Sequence, residues 1–276
     1  MIDSHQHFWQ YTPEEYAWIG DNMTPLRRDC LPDDLKPLID AAGVQGTVAV
    51  QARQCLDETQ WLLQLAGANE WIVGVVGWVD LRSDALSAQL ERFSKNKKLV
   101  GVRHVVHDEP DDEFLLREDF LRGIQMLADY DLAYDLLLFE KHLPVAIQFV
   151  ETFPDHRIVL DHISKPLIKD RVLSPWDANL RELAKYPNVY CKVSGMVTEA
   201  DWTNWTPDDL KPYLDVVFDA FGPERIMLGS DWPVCTVAGS YQDILNIPLN
   251  SIESLSIEDQ EKIKSKNARR AYKLPI

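Results

Sequence analysis

The chain has 276 residues, 46% of them hydrophobic and 26% charged, with a formal net charge of −16 at pH 7. Such a composition buries a large core, which excludes a disordered chain, and the length matches one closed α/β barrel, for which ~250 residues is usual. The acidic excess argues against nucleic acid and anionic membrane surfaces as partners, because both need concentrated Lys and Arg.

Eight apolar or β-branched runs recur along the chain, each followed by a stretch of helical periodicity. In order they are Ile2 to Phe8, Gly46 to Gln51, Ile72 to Val79, Val100 to Val105, Ala133 to Leu138, Arg157 to His162, Val189 to Ser194 and Arg225 to Ser230. Helix starts stand between them, as in Pro32-Asp33-Asp34-Leu35 and Thr206-Pro207-Asp208-Asp209, where carboxylates and an early Pro suit a first turn. The strands read as continuous apolar runs, as in parallel strands buried on both faces. Strand then helix, repeated through the chain, predicts an α/β fold: a single (β/α)8 TIM barrel spanning 1–276 with no internal boundary. No Gly-x-Gly-x-x-Gly turn follows the first strand, which argues against a dinucleotide site. Two long connections, Trp9 to Leu31 and Gly195 to Trp205, are predicted to lie over the mouth as lid or wall.

The four cysteines, Cys30, Cys55, Cys191 and Cys235, are scattered without a Cys-x-x-Cys pair and read as buried apolar residues. No basic-then-apolar leader opens the chain and no apolar run approaches the ~20 residues of a membrane span, so the cytoplasm is expected. Monomer and homodimer are equally compatible with the sequence.

Polar residues fall at the ends of successive strands, the end where barrel enzymes assemble their chemistry. The first strand gives His5 and His7, two positions apart and hence on one face. Later ones give Gln51 with Arg53, Arg103 with His104, Tyr134 with Asp135, Asp161 with His162, Lys192 with Ser194, and Ser230 with Asp231 and Trp232. Blander readings stand beside these: His104 and His107 as rim residues, Arg103 as a salt-bridge partner of Asp108 or Glu109, and Lys192 as a residue facing the helices. Asp231 is harder to explain away. A carboxylate at the end of the apolar run Ile226-Met227-Leu228 is costly to bury without a partner.

With the opening His-x-His, Asp161-His162-Ile163-Ser164-Lys165-Pro166 and Leu228-Gly229-Ser230-Asp231-Trp232-Pro233, the chain resembles the amidohydrolase superfamily, in its branch of sugar lactonases. A closer similarity, to L-fuconolactonases and L-rhamnonolactonases, runs through Asp3-Ser4-His5-Gln6-His7-Phe8-Trp9, Val48-Ala49-Val50-Gln51-Ala52-Arg53, Gly101-Val102-Arg103-His104 and Val197-Thr198-Glu199-Ala200-Asp201-Trp202. It extends to Asn267-Ala268-Arg269. Binuclear members carry a bridging Lys or Glu on strand four and a His ending strand five; here those places hold Arg103 with His104 and Tyr134 with Asp135. The resemblance therefore implies at most one divalent ion, and metal-free relatives exist.

What it implies is opening of a sugar-acid lactone, a small-molecule substrate. Asp231 is expected to act as general base and then acid on water. His5, His7 and His162 either polarise the carbonyl directly or hold, with Asp231, a single Zn²⁺; both readings stay open. Arg103, His104, Gln51, Tyr134, Trp232 and Trp9 are the expected substrate contacts. Hydrolysis or decarboxylation of an aromatic dicarboxylate, with Arg53, Arg103 and Lys165 as cations, and a non-catalytic carbohydrate-binding barrel are the competing readings.

Overall fold

The structure, a computed structural model, describes residues 1–274; the last two positions of the expected domain, 275 and 276, lie outside the described residues. Eight strands form one parallel sheet in sequential order: β1 (Ile2–Gln6), β2 (Gly46–Val50), β3 (Ile72–Gly77), β4 (Leu99–Val105), β5 (Ala133–Leu137), β6 (Ile158–Leu160), β7 (Val189–Val193) and β8 (Ile226–Leu228). Each is followed by one of the helices α1 (Pro32–Ala41), α2 (Leu56–Ala68), α3 (Leu86–Phe93), α4 (Glu118–Leu127), α5 (Leu143–Thr152), α6 (Trp176–Leu183), α7 (Pro207–Phe221) and α8 (Tyr241–Ser251). This is the (β/α)8 barrel that the strand–helix repetition predicts. No helix among the described residues is long and apolar enough to cross a membrane.

The helix starts legible in the sequence form, each closed by a carboxylate in its first turn. The Asp34 and Asp209 carboxylates each accept the backbone N–H of the residue preceding the helix, Leu31 and Thr206, at 2.9 Å. Strands end earlier than their apolar runs. After β6 the chain leaves the ladder at Asp161, and after β8 at Gly229, so the polar residues sit on turns above the sheet.

The ring closes between β8 and β1 at the residues of interest. Asp231 N donates to His5 O at 2.8 Å, and His7 N donates to Trp232 O at 2.6 Å. Asp3 clasps the same seam: its carboxylate accepts Ser230 N at 2.9 Å, Ser230 Oγ at 2.6 Å and the Tyr241 hydroxyl at 3.0 Å. A side chain at Gly229 would bring its Cβ to 2.8 Å from His5 Cβ, so glycine is what lets the strands approach there.

Two apolar cores result. The larger lies between strands and helices; the smaller fills the barrel, with Val48, Val50, Val76, Val100 and Met227 among its members. Ala268, Ala271, Tyr272 and Leu274 join the inner cluster from the last helix, α10 (Asn267–Tyr272), which follows α9 (Ile257–Glu261) through a π-helical stretch, Lys262–Lys266. The last helix thus plugs the barrel floor, and Tyr272 reaches up the axis to donate its hydroxyl to Asp135 Oδ2 at 2.7 Å.

Packing of α4 against the segment after β3 depends on Gly123, where an added Cβ would overlap the Leu81 carbonyl oxygen and lie 2.8 Å from its carbon. Gly123→Ala is expected to cost about 1–3 kcal/mol through overpacking, read as a lower urea midpoint at unchanged m-value.

Candidate active site

Asp231 Oδ1 is the focus of the C-terminal mouth. His7 Nε2 lies 3.3 Å from it, His5 Nε2 3.8 Å and His162 Nε2 3.9 Å, so the carboxylate from the far end of the chain and the N-terminal imidazole pair meet on one rim. Each ring is gripped from behind through Nδ1. That of His7 faces the Val50 carbonyl at 2.8 Å, that of His162 the Ser194 hydroxyl at 2.9 Å, and that of His5 the Asp161 carboxylate at 3.4 Å and Lys192 Nζ at 3.2 Å. A carbonyl only accepts, so His7 is assigned as the Nδ1–H tautomer with its Nε2 lone pair turned to the cavity, and at His5 the Arg103 guanidinium, which only donates, lies 3.3 Å from Nε2 and makes that atom the acceptor.

Burial holds His5 and His162 well below the usual imidazole range despite the opposing carboxylates, which leaves both rings neutral. Burial alone would raise Asp231, but the imidazoles of His162 and His7 and the Lys165 ammonium reverse the sign, and the carboxyl lies below its usual range. Several acceptor atoms therefore converge on one point, an arrangement suited to a cation. His5, His162 and Asp231 each offer a ligand atom, all within 4.8 Å of one another, and this His/His/Asp set fits a divalent metal. His7, expected as a further ligand, holds its Nε2 3.2 Å from His5 Nε2 and 3.3 Å from Asp231 Oδ1.

Beneath the histidines lies a buried ionic network. Lys192 Nζ contacts Asp135 Oδ2 at 2.6 Å and Asp161 Oδ1 at 2.9 Å, and Arg103 Nη1 contacts Asp161 Oδ2 at 2.9 Å and His5 Nε2 at 3.3 Å. Arg103 also donates to the backbone and side-chain oxygens of Gln51. Burial pushes Asp135 up to about 6 against the pull of Lys192. Asp161 is equally buried, yet Lys192, His5 and Arg103 together hold it well below the carboxylate range.

The positive charge of Lys192 points inward, contrary to the reading that sets it against the helices; the sequence signal was the pair of carboxylates, Asp135 and Asp161, on the two preceding strand ends. Arg103 pairs with Asp161, not with Asp108 or Glu109. Backbone geometry aids the convergence: His162, Ile163, Ser164 and Lys165 have φ of 52°, 48°, 64° and 45°, and Asp231 has 58°. Left-handed backbone is unfavourable for such residues, and here it swings His162 and Lys165 over the mouth.

A cavity of about 160 Å³ opens above, bordered by His7, Gln51, Arg103, His162 and Asp231 together with Trp18, His107, Asp108 and Lys165, which are not among the expected sugar contacts, Lys165 being expected only as a cation for the competing dicarboxylate. The structure leaves four expected contacts outside this lining. His104 points into the helix layer, its ring stacked on Phe114 at 4.9 Å and its Nε2 on Glu109 at 2.7 Å. Tyr134 packs between Phe149 and Phe120, at 5.7 and 5.9 Å. Both follow from strand alternation, because Arg103 and Asp135 are paired in register and point inward, so their neighbours point out. Trp232 packs edge-on to Phe8 at 6.1 Å, and Trp9 lies beneath Trp18, its indole N–H donating to Arg28 O at 2.9 Å. From the long first connection it is Trp18 that borders the cavity.

One wall of the cavity, Ala52, is tied down by Glu58, whose Oε2 accepts Ala52 N at 3.0 Å and Arg53 N at 2.8 Å while Oε1 has no partner. Burial lifts Glu58 from 4.5 to about 7. A carboxyl raised on folding is protonated more readily in the native state, so stability is expected to fall by about 3 kcal/mol as pH climbs from 4.5 to 7 and then to level off. In Glu58→Gln, denaturant titrations at several pH values should lose that slope. Lys192→Met strands two buried carboxylates and is expected to lower unfolding free energy by about 3–5 kcal/mol, measured by the same titrations at neutral pH.

Comparison with known proteins agrees with this geometry. The chain matches the amidohydrolase family model over residues 2–274. It is 44% identical to an L-fucono-1,5-lactonase of Burkholderia multivorans, covering 99% of this chain and 96% of that protein, and 38% identical to an L-fucono-1,5-lactonase of Burkholderia ambifaria, covering 88% and 83%. A crystal structure of an amidohydrolase from Burkholderia multivorans with bound zinc superposes with a TM-score of 0.96 at 44% identity, covering 99% of each chain. Family, barrel and donor set point the same way: the chain belongs to the amidohydrolase family.

Proposed function

We propose that this protein is a lactonase that opens a sugar-acid lactone of the L-fucono-1,5-lactone kind to the aldonic acid. The observation that carries the reading is the ionised Asp231 oxygen held among three imidazoles on the edge of a small cavity beside Arg103. About 160 Å³ is small against the ~300–1,000 Å³ of sites for drug-sized ligands, and it suits one ring of sugar size.

In the reaction, Asp231 takes a proton from water as the water oxygen bonds to the lactone carbonyl carbon. The ring C–O bond then breaks, and Asp231 returns the proton to the departing alkoxide. Arg103, immobilised by Asp161 and Gln51, places its guanidinium charge beside the oxygen on which negative charge grows. His7, fixed through Val50, steers the water against Asp231. A divalent ion, Zn²⁺ by donor type, held by His5, His162 and Asp231, would supply Lewis acidity towards the carbonyl.

Two sets of variants test this. Asp231→Asn is expected to keep the fold while lowering kcat for lactone opening by roughly 10²-fold or more, followed as proton release. His5→Ala and His162→Ala should both be impaired in that assay; turnover like wild type in all three would remove the mechanism.

A further inference from the structure

Four formally charged side chains border the cavity: Arg103, Asp108, Lys165 and Asp231. Both cations are matched from behind by carboxylates that do not border it. Asp161 meets Arg103 at 2.9 Å, and Glu199 Oε1 meets Lys165 Nζ at 2.9 Å. The two bordering carboxylates have imidazoles instead: Asp231 the three histidines, and Asp108 the His107 Nε2 at 3.5 Å. Burial brings His107 down to about 3, so it supplies no positive charge near neutral pH. Apart from an ion at Asp231, the described wall offers a ligand no uncompensated Arg or Lys, within a chain of net charge −16.

Lys165 is the cation that could be released. Its ammonium is only 19% exposed, above the Phe139 ring at 6.0 Å, and its backbone is set by the left-handed turn after β6. Glu199 comes from a separate connection, after β7, fixed where its carbonyl accepts Lys169 N at 2.9 Å. A lactone carries no charge. Ring opening creates a carboxylic acid that ionises at neutral pH, and on the Lys165 side of the cavity that carboxylate would meet no free cation, which is costly.

We propose that Glu199, by occupying the Lys165 ammonium, makes the cavity select neutral lactones over carboxylates, so that the hydroxy acid product leaves and dicarboxylate lactones are rejected. This rests on the lactonase reading above. Glu199 is then a specificity-determining residue that acts through Lys165 without touching substrate.

The test compares KM for L-fucono-1,5-lactone with the inhibition constant of L-fuconate in wild type, Glu199→Gln, Lys165→Met and the double variant, with binding of the acid followed by calorimetry. Wild type should bind the acid at least about tenfold more weakly than KM for the lactone. Glu199→Gln should lower the ratio of the two constants about tenfold by freeing the ammonium, and removal of Lys165 in the double variant should abolish that drop. A ratio within about twofold of wild type in Glu199→Gln, or an equal drop in the double variant, overturns the proposal. If Glu199→Gln does not fold, wild type decides: acid binding as tight as the lactone overturns it, and the weaker binding expected supports it. Failure to open any lactone would instead remove the lactonase reading, while calorimetry of the acid on wild type and Glu199→Gln still decides the role of Glu199.

Discussion

The Lys192 ammonium inside the barrel is the interaction on which the site stands. Asp135 and Asp161 enter the same buried space from adjacent strands and would repel each other across it; Lys192 lies 2.6 and 2.9 Å from them and makes their coexistence possible. Arg103 adds the second positive charge, and the Tyr272 hydroxyl supplies a donor from the floor. The environment is asymmetric. Asp135, lifted to about 6 by burial, lies towards Tyr272, whereas Asp161, held low by three positive or polarisable neighbours, keeps its charge beside His5. His5 thereby faces a fixed anion on Nδ1, which orients its Nε2 towards Asp231.

Above that network the backbone itself is bent to purpose. Four successive residues from His162 to Lys165 adopt left-handed φ values that a β-branched residue such as Ile163 resists. Local bonds offset the strain: Trp176 donates its indole N–H to Ile163 O at 2.8 Å, His162 meets Ser194, and Lys165 meets Glu199. The turn brings an imidazole and an ammonium to the same mouth from one short segment. Asp231 does likewise at the β8–β1 seam, where Asp3, Ser230 and Tyr241 fix the chain on one side and His5 and His7 on the other.

Charge links these features to turnover. Each cation near the cavity is spoken for by a carboxylate behind it, while Asp231 is ringed by imidazoles, of which burial keeps His5 and His162 neutral. An arrangement of that kind keeps Asp231 ionised, as the proposed role of base requires, and suits the proposed reaction, whose substrate is neutral and whose product is an anion.

The sequence by itself determined the barrel, because eight apolar runs alternating with helical stretches have few other ways to bury their surface, and it placed His5, His7, His162 and Asp231 at strand ends. It could not fix which of two adjacent polar residues faces the axis. That depends on where each strand enters the ring, and a shift of one residue exchanges inside for outside: His104 and Tyr134 went to the helix layer while Arg103, Asp135 and Lys192 went in. Tertiary structure alone decided the partnerships of Lys192 with Asp135, Lys165 with Glu199 and Tyr272 with the barrel axis. These join residues tens to more than a hundred positions apart, and only ring closure makes them neighbours.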